Sequence, residues 1–186
     1  MTHVADAEPV YYTVRATPLG TVLAAGSKHG IRYLSLQDTL NNPEGILQRE
    51  FPSSPVINAH RAAIPDVIKQ LETAIEIAST GHTTTGAPLL HLQGSPFQRS
   101  VWQYLQSIPP GETRSYQAVA EAIGRPRANR AVAQACAANR IAVLIPCHRV
   151  VCSDGSLSGY HWGIERKRWL LQRESVFKDK KKQPPS

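Results

Sequence analysis

The apolar residues of this chain change their repeat partway along it, and that change constrains the fold more than any other feature. Over the first forty residues they fall in short β-prone runs, Tyr11 to Arg15, Val22 to Ala25 and Ile31 to Leu36, separated by Pro18-Leu19-Gly20 and Gly26-Ser27-Lys28-His29-Gly30. This spacing predicts hairpins or a meander, because side chains alternate faces along a strand and glycine supplies the turns. Residues 38–60 read as loop, broken by Asn41-Asn42-Pro43-Glu44-Gly45 and Pro52-Ser53-Ser54-Pro55. Then Ile64, Val67, Ile68, Leu71 and Ile75 fall on one face of a helix that ends near Gly81. The fold class expected is α+β, a small α/β module followed by a helical one.

A Thr- and Gly-rich stretch near 80–94 separates the two, with Pro88-Leu89-Leu90-His91-Leu92 as a strand or an extended crossing. The division is therefore a module over 1–85, a linker over 86–94, a helical domain over 95–176 and a basic tail over 177–186. In the helical domain, Ser95-Pro96 is an N-cap followed by proline at the first helical position, and Phe97, Val101, Leu105 and Ile108 form the buried stripe up to Pro109-Pro110-Gly111. Ser115 caps a second helix with the stripe Tyr116, Val119, Ala120 and Ile123, closed by Gly124. After Arg125-Pro126 comes a helix made mostly of alanine, from Ala128 to Ala138. Two short helices joined by a tight turn fit a helix-turn-helix. They fit a plain helical hairpin as well, since small residues also permit close helix packing.

Charge separates those alternatives. Residues 1–95 carry six Lys/Arg against eight Asp/Glu, whereas residues 96–186 carry fifteen against six. Part of that excess is Lys178 and Lys180-Lys181-Lys182 in a tail ending Gln183-Pro184-Pro185-Ser186, read as a solvated, unfolded end or a targeting patch. Without the tail lysines and Asp179 the second half is still +6, and Arg125, Arg127 and Arg140 flank the alanine helix. A basic excess confined to one half is the footprint of a nucleic-acid face, because each cation that neutralises a phosphate releases counterions. No apolar run approaches a membrane span, Val143-Leu144-Ile145 being typical, and the first residues have no signal-peptide pattern, so an intracellular protein is expected.

The chemistry is concentrated at Val143-Leu144-Ile145-Pro146-Cys147-His148-Arg149-Val150-Val151. Proline restricts the backbone just before a thiol, and two basic groups follow, which favours the nucleophilic thiolate. On adjacency alone an inert packing cysteine is the commoner outcome. Cys136, in the alanine helix, and Cys152, beside the turn Ser153-Asp154-Gly155, fit that inert role. The histidines His3, His29, His60, His82 and His91 show no ligand spacing and no Cys-x-x-Cys pair exists, so neither a metal site nor a cofactor is expected.

From Phe97 to Glu174 the chain resembles the catalytic domain of the O6-alkylguanine-DNA alkyltransferases, the methylated-DNA–protein-cysteine methyltransferases. The resemblance rests on Pro146-Cys147-His148-Arg149-Val150, preceded by Arg130 and Asn139. It extends to Thr113-Arg114-Ser115-Tyr116, Gly159-Tyr160, Lys167, Trp169-Leu170-Leu171 and Glu174. The wording Ala135-Cys136-Ala137-Ala138-Asn139 and Leu157-Ser158-Gly159-Tyr160-His161-Trp162-Gly163 looks most like the C-terminal half of the bacterial adaptive-response protein. The zinc-bearing regulatory half of that protein has no counterpart here.

The resemblance implies a ribonuclease-H-like module over 1–85 and a winged helix-turn-helix over 95–176. It implies irreversible transfer of a methyl or larger alkyl group from guanine O6, less so thymine O4, in double-stranded DNA to Cys147, with the nucleotide flipped out. His148, oriented by Glu174, would deprotonate Cys147 through a water; Tyr116 would protonate the leaving base at N3; Asn139 would brace the turn. Arg130 would enter the base stack while Ala128, Asn129, Ala131, Ala133 and Arg127 approach the minor groove. The backbone of Cys147 and Val150 would read the exocyclic amine, and Tyr160 and His161 would cover the base. Trp162, where many relatives carry a small residue, would narrow the pocket against benzyl-sized groups. A monomer is expected, cytoplasmic in a prokaryote and nuclear in a eukaryote. The alternative is a non-catalytic alkyltransferase-like lesion-binding protein, against which Cys147 argues directly.

Overall fold

The computed structural model describes residues 8–81 and 86–182, with side chains as far as Ser175. The chain divides into two compact units. The first runs to Ser79 and includes the segment ending at His91; the second holds Thr80, Gly81 and everything described from Leu92 onward.

The first unit is built on three antiparallel strands, β1 (Val10–Thr17), β2 (Gly20–Ser27) and β3 (Gly30–Gln37), joined by the glycine turns read from the sequence. A short fourth strand, β4 (Val56–Asn58), pairs parallel to β1 and completes the order β3-β2-β1-β4. β2 is central and inaccessible from Val22 to Ser27, so both of its faces are covered. Val10, Tyr12, Leu23 and Ala25 on one face pack with Leu47 and Phe51 in a single core. Each fully buried leucine there contributes about 2 kcal/mol of apolar burial.

Leu47 lies on α1 (Pro43–Glu50), inside the stretch expected to be loop. The expectation fails for a physical reason. Asn42 and Pro43 do not break a helix here; they start one. Asn42 Oδ1 accepts from the Gly45 N–H at 2.8 Å, and proline at the first turn lacks a donor that would be orphaned anyway. After α2 (Ala59–Ala62), helix α3 (Pro65–Thr80) buries Val67, Leu71, Ala74, Ile75, Ile77 and Ala78; of the predicted stripe Ile68 is half-buried, and Ile64 is half-buried and precedes the helix. Leu89 to His91, placed in the linker by composition, instead run along β3: the Ile31 N–H donates to Leu89 O at 2.7 Å and the His91 N–H to Ile31 O at 2.8 Å. Gly30 makes this possible. Its φ is +127°, and a Cβ there would stand 2.5 Å from Leu89 O.

The second unit opens with α4 (Pro96–Gln106), started by a full capping box: Ser95 Oγ accepts from the Gln98 N–H at 3.2 Å, and Gln98 Oε1 accepts from the Ser95 N–H at 2.8 Å. Its buried residues are Val101, Trp102 and Leu105. Ser115 caps α5 (Tyr116–Ala122) through the Ala118 N–H, Gly124 turns the chain at φ +72°, and α6 (Asn129–Ala137) follows. α6 buries Val132, Ala135 and Cys136 and exposes Asn129, Arg130 and Gln134. Trp102 Nε1 donates to Ala135 O at 2.8 Å and ties α4 to α6.

Two two-residue strands, β5 (Arg114–Ser115) and β6 (Val150–Val151), pair in parallel. The pair is small, yet it brings two distant segments together, because β5 runs directly into Tyr116 and β6 directly out of the Cys147–Arg149 turn. The last helix, α7 (Ile164–Lys182), turns Lys167, Leu170 and Glu174 to one buried face. It continues through Lys182, so the expected unfolded tail is corrected as far as that residue: the run rich in lysine prolongs the helix that carries Lys167, Leu170 and Glu174. Gln183 to Ser186 lie outside the described residues. Among the described residues no helix is long and apolar enough to cross a membrane.

Candidate active site

Cys147 opens a one-turn 3-10 helix, Cys147–Arg149, that follows Pro146. The loop before it is braced from within by Asn139. The Asn139 amide donates to Ile141 O at 3.3 Å, to Ile145 O at 3.1 Å and to Cys147 Sγ at 3.2 Å, while its Oδ1 accepts from the Ile141 N–H at 2.8 Å. Between those anchors Val143 is held at φ +65°, a left-handed conformation that costs a β-branched residue about 1–3 kcal/mol. One buried amide thus offsets the strain of the loop and touches the thiol.

Behind the turn, His148 Nε2 and Glu174 Oε1 are 2.8 Å apart, and both residues are buried. Glu174 also accepts from Arg149 Nη2 at 2.8 Å, from Arg149 Nε at 3.1 and 3.2 Å, and from the Gly111 N–H at 3.2 Å. Arg149 Nη1 reaches Ile108 O at 2.5 Å. Burial pushes the Glu174 carboxyl up, but the hydrogen bonds and charges of His148 and Arg149 overcome it and hold the group at about 2. Glu174 is therefore a carboxylate, and it accepts a hydrogen bond from the His148 Nε2–H. Nδ1 is left as the basic nitrogen, and it has no hydrogen-bond partner among the described residues.

Burial depresses the His148 pKa, outweighing Glu174, so the ring rests neutral. Burial also pushes the Cys147 thiol well above its ordinary value; the Cys136 thiol adds to this, and the Asn139 amide and Lys167 charge oppose it. A neutral thiol and a neutral imidazole oriented by a carboxylate form a nucleophile with its base at rest.

Cys147 lies on the wall of a cavity of about 420 Å³, with Tyr116, Ala133, Cys136, Ala137, Ser158, Gly159, Tyr160 and His161. That volume is in the range of small-molecule and base pockets. Of the candidate residues, Cys147, Tyr116, Tyr160, His161 and Ala133 meet there, and His148, Glu174 and Asn139 support the turn from behind. Arg130, Asn129 and Arg127 are exposed outside it, with Ala128 and Ala131 half-buried. Trp162 does not line the cavity. It is buried and edge-on to Tyr160 at 5.3 Å and His161 at 5.0 Å, so it backs the wall. Val150 is fully buried and also absent from the wall; its carbonyl accepts from Lys167 Nζ at 2.6 Å.

Four residues outside the proposed catalytic and binding set belong to this site. Cys136, read as inert packing, shares the cavity wall with Cys147. Arg149 grips Glu174, and its position next to His148 was the available signal. Lys167 and Ser158 connect to Tyr116; both stand among the residues that carry the resemblance, which gave neither a role. Among the described residues no cluster of three or more His, Cys, Asp or Glu side chains could hold a metal ion.

Comparison with known proteins matches residues 96–176 to the model of the 6-O-methylguanine DNA methyltransferase, DNA binding domain. The bifunctional transcriptional activator/DNA repair enzyme Ada of Escherichia coli is 46% identical over 167 residues, 89% of this chain, which spans only 46% of that protein's length. A solved structure of Mycobacterium tuberculosis OGT in complex with DNA is 32% identical, covers 89% of this chain and 93% of its own, and superposes with a TM-score of 0.71. A methylated-DNA–protein-cysteine methyltransferase of Methanosarcina barkeri is 39% identical across 89% of this chain and 97% of its own length. With a relative matched almost end to end and a buried thiol next in sequence to an imidazole that is hydrogen-bonded to a buried carboxylate, the chain belongs to the methylated-DNA–protein-cysteine methyltransferases.

Proposed function

We propose that this protein repairs double-stranded DNA by direct reversal, moving an alkyl group from guanine O6, and less readily thymine O4, onto Cys147 in one irreversible turnover. The observation that carries the reading is the position of Cys147, on the wall of an open cavity with a His148–Glu174 pair buried behind it. His148 Nδ1 takes the thiol proton through a water, and Glu174 stabilises the imidazolium. The thiolate, assisted by the Asn139 amide, attacks the alkyl carbon in line. The carbon–oxygen bond breaks, and its electron pair leaves with the base as Tyr116 delivers a proton to N3. The product thioether has no hydrolytic exit, so each chain acts once.

Access requires the nucleotide to leave the stack, since O6 is otherwise enclosed in the duplex. In this reading the second unit docks as a winged helix-turn-helix with α6 in the minor groove. Arg130 fills the space of the extruded base, and Asn129, Arg127 and the small residues Ala128, Ala131 and Ala133 permit close approach. The first unit is a ribonuclease-H-like module without chemistry of its own, and the protein acts as a monomer.

The test is intact-mass measurement with peptide mapping after mixing with a duplex that carries one O6-methylguanine. A gain of one methylene, confined to Cys147 and stopping at one per chain, is expected. Binding without mass gain would instead identify a lesion-recognition protein.

A further inference from the structure

Among the described residues Lys167 is a buried cation without a carboxylate partner: its side chain is inaccessible, and its hydrogen bonds go to oxygens of Val150 and Ser158. Such a group is expensive to bury and calls for a reason. The contacts supply one. Nζ donates to Val150 O at 2.6 Å and, at 3.4 Å each, to Ser158 O and Ser158 Oγ. Ser158 Oγ in turn lies 2.6 Å from Tyr116 Oη, and both Ser158 and Tyr116 line the cavity with Cys147.

The donor inventory fixes the Lys167 end of this chain, while either hydroxyl of the Ser158–Tyr116 pair can be its donor. An ammonium only donates, so Ser158 Oγ accepts from Lys167, and its own hydrogen is free for Tyr116. A phenol that accepts from Ser158 has its own O–H left to point elsewhere, and Tyr116 faces the cavity. We infer that Ser158 is a positioning residue that links Lys167 to Tyr116 and turns the Tyr116 hydroxyl outward as a polarised donor to the departing base. The inference rests on the proposed function, in which Tyr116 protonates the base. Burial raises the Tyr116 pKa, and the bond to Ser158 opposes that rise. Hydrogen bonds in series polarise one another, so the chain strengthens the terminal donor as negative charge develops on the base. The β5–β6 pair supplies the scaffold: it joins Ser115, next to Tyr116, to Val151, next to the carbonyl that Lys167 holds.

The experiment measures the first-order transfer rate within the preformed complex, and separately the affinity for lesion duplex, for wild type, Ser158→Ala, Ser158→Thr, Tyr116→Phe and the Ser158→Ala/Tyr116→Phe pair. Each is run with O6-methylguanine and with its 3-deaza analogue, which has no N3 lone pair. The expectation is that Ser158→Ala slows transfer about five- to thirtyfold, the effect of one hydrogen bond in a charge-assisted chain, with affinity unchanged. Ser158→Thr, which keeps the hydroxyl, restores the rate; the double variant is no slower than Tyr116→Phe; and on the 3-deaza duplex Ser158→Ala matches wild type. Equal slowing on both duplexes, or a further loss in the Tyr116→Phe background, would reduce Ser158 to a packing residue and overturn the inference. If Tyr116→Phe slows transfer but Ser158→Ala does not, the relay fails while the role of Tyr116 stands. No effect of Tyr116→Phe would remove both.

Discussion

Replacing Glu174 with Gln perturbs the site at the group that holds most of it together, and the consequence can be worked out from the contacts. The carboxylate accepts from His148, from Arg149 three times and from the Gly111 N–H, at 2.8–3.2 Å, in a position only 1% exposed. Its pKa lies at about 2 instead of the ordinary 4.5. At about 1.4 kcal/mol per pKa unit, that difference is about 3 kcal/mol of folding stability. A folded-state pKa below the unfolded value means the stabilisation is complete above pH 4.5 and is lost as the pH falls toward 2.

The amide variant has no such contribution and turns an N–H₂ toward Arg149. It should be less stable by about 3–5 kcal/mol at pH 7, the usual result of leaving a buried charge unpaired. The gap should then narrow on acidification, by about 0.8 kcal/mol at pH 4 and about 2 kcal/mol at pH 3, as the unfolded wild type takes up its proton. His148, whose folded-state pKa burial depresses, loses stability in both proteins as the unfolded ring protonates near pH 6.5, and it loses more in the variant, where the Glu174 charge no longer opposes burial, which offsets part of that narrowing. Urea unfolding followed by tryptophan fluorescence is the suitable assay, because Trp102, Trp162 and Trp169 all belong to the second unit. A gap below about 1 kcal/mol at pH 7 would refute the electrostatic account of the site.

Other substitutions test its remaining parts. Asn139→Ala leaves the carbonyls of Ile141 and Ile145 without their donor and the Val143 conformation unbraced, so stability should fall by about 2–4 kcal/mol and alkyl transfer should slow; a change under about 0.5 kcal/mol in urea unfolding would contradict the bracing role. Trp162→Gly removes the backing of Tyr160 and His161 and should raise the rate with free O6-benzylguanine about tenfold while leaving methyl transfer nearly unchanged; equal benzyl rates in the two proteins would show that the wall is not narrowed by Trp162. Arg130→Ala should slow repair of duplex DNA at least about tenfold but leave the reaction with free O6-benzylguanine intact, because only the duplex needs its stack filled; parallel losses on both substrates would argue against that role.

The cavity wall shows how a residue's part in the chemistry depends on the company that folding supplies. Cys136 and Cys152 look alike in sequence, each a lone thiol in an ordinary setting. Folding puts Cys136 on the wall with Cys147 and leaves Cys152 half-buried, engaged through its backbone in a turn with Ser156. Glu174 in isolation reads as a helix-surface carboxylate next to Arg173. Its partners are instead His148 and Arg149, 26 and 25 positions away; they draw Glu174 inward on α7, as the oxygens of Val150 and Ser158 draw Lys167.

Local physics carried the rest. A capping box needs only Ser95 and Gln98, a strand turn needs only glycine, and the stripes of α3 and α4 need only their own periodicity; each interaction closes within a few residues, so each was legible before any fold was known. The same locality misled at Asn42-Pro43, whose residues serve a helix start as well as a loop, and the choice fell to the burial of Leu47 beneath the sheet. The resemblance around Pro146-Cys147-His148-Arg149 pointed from sequence to Cys147, His148 and Glu174, and folding sets the last two 2.8 Å apart. The resemblance could not place Ser158 between Lys167 and Tyr116, or move Trp162 behind the wall, because those are statements about distances between segments. Periodicity specifies which face of an element is buried; only the assembled core decides what that face meets.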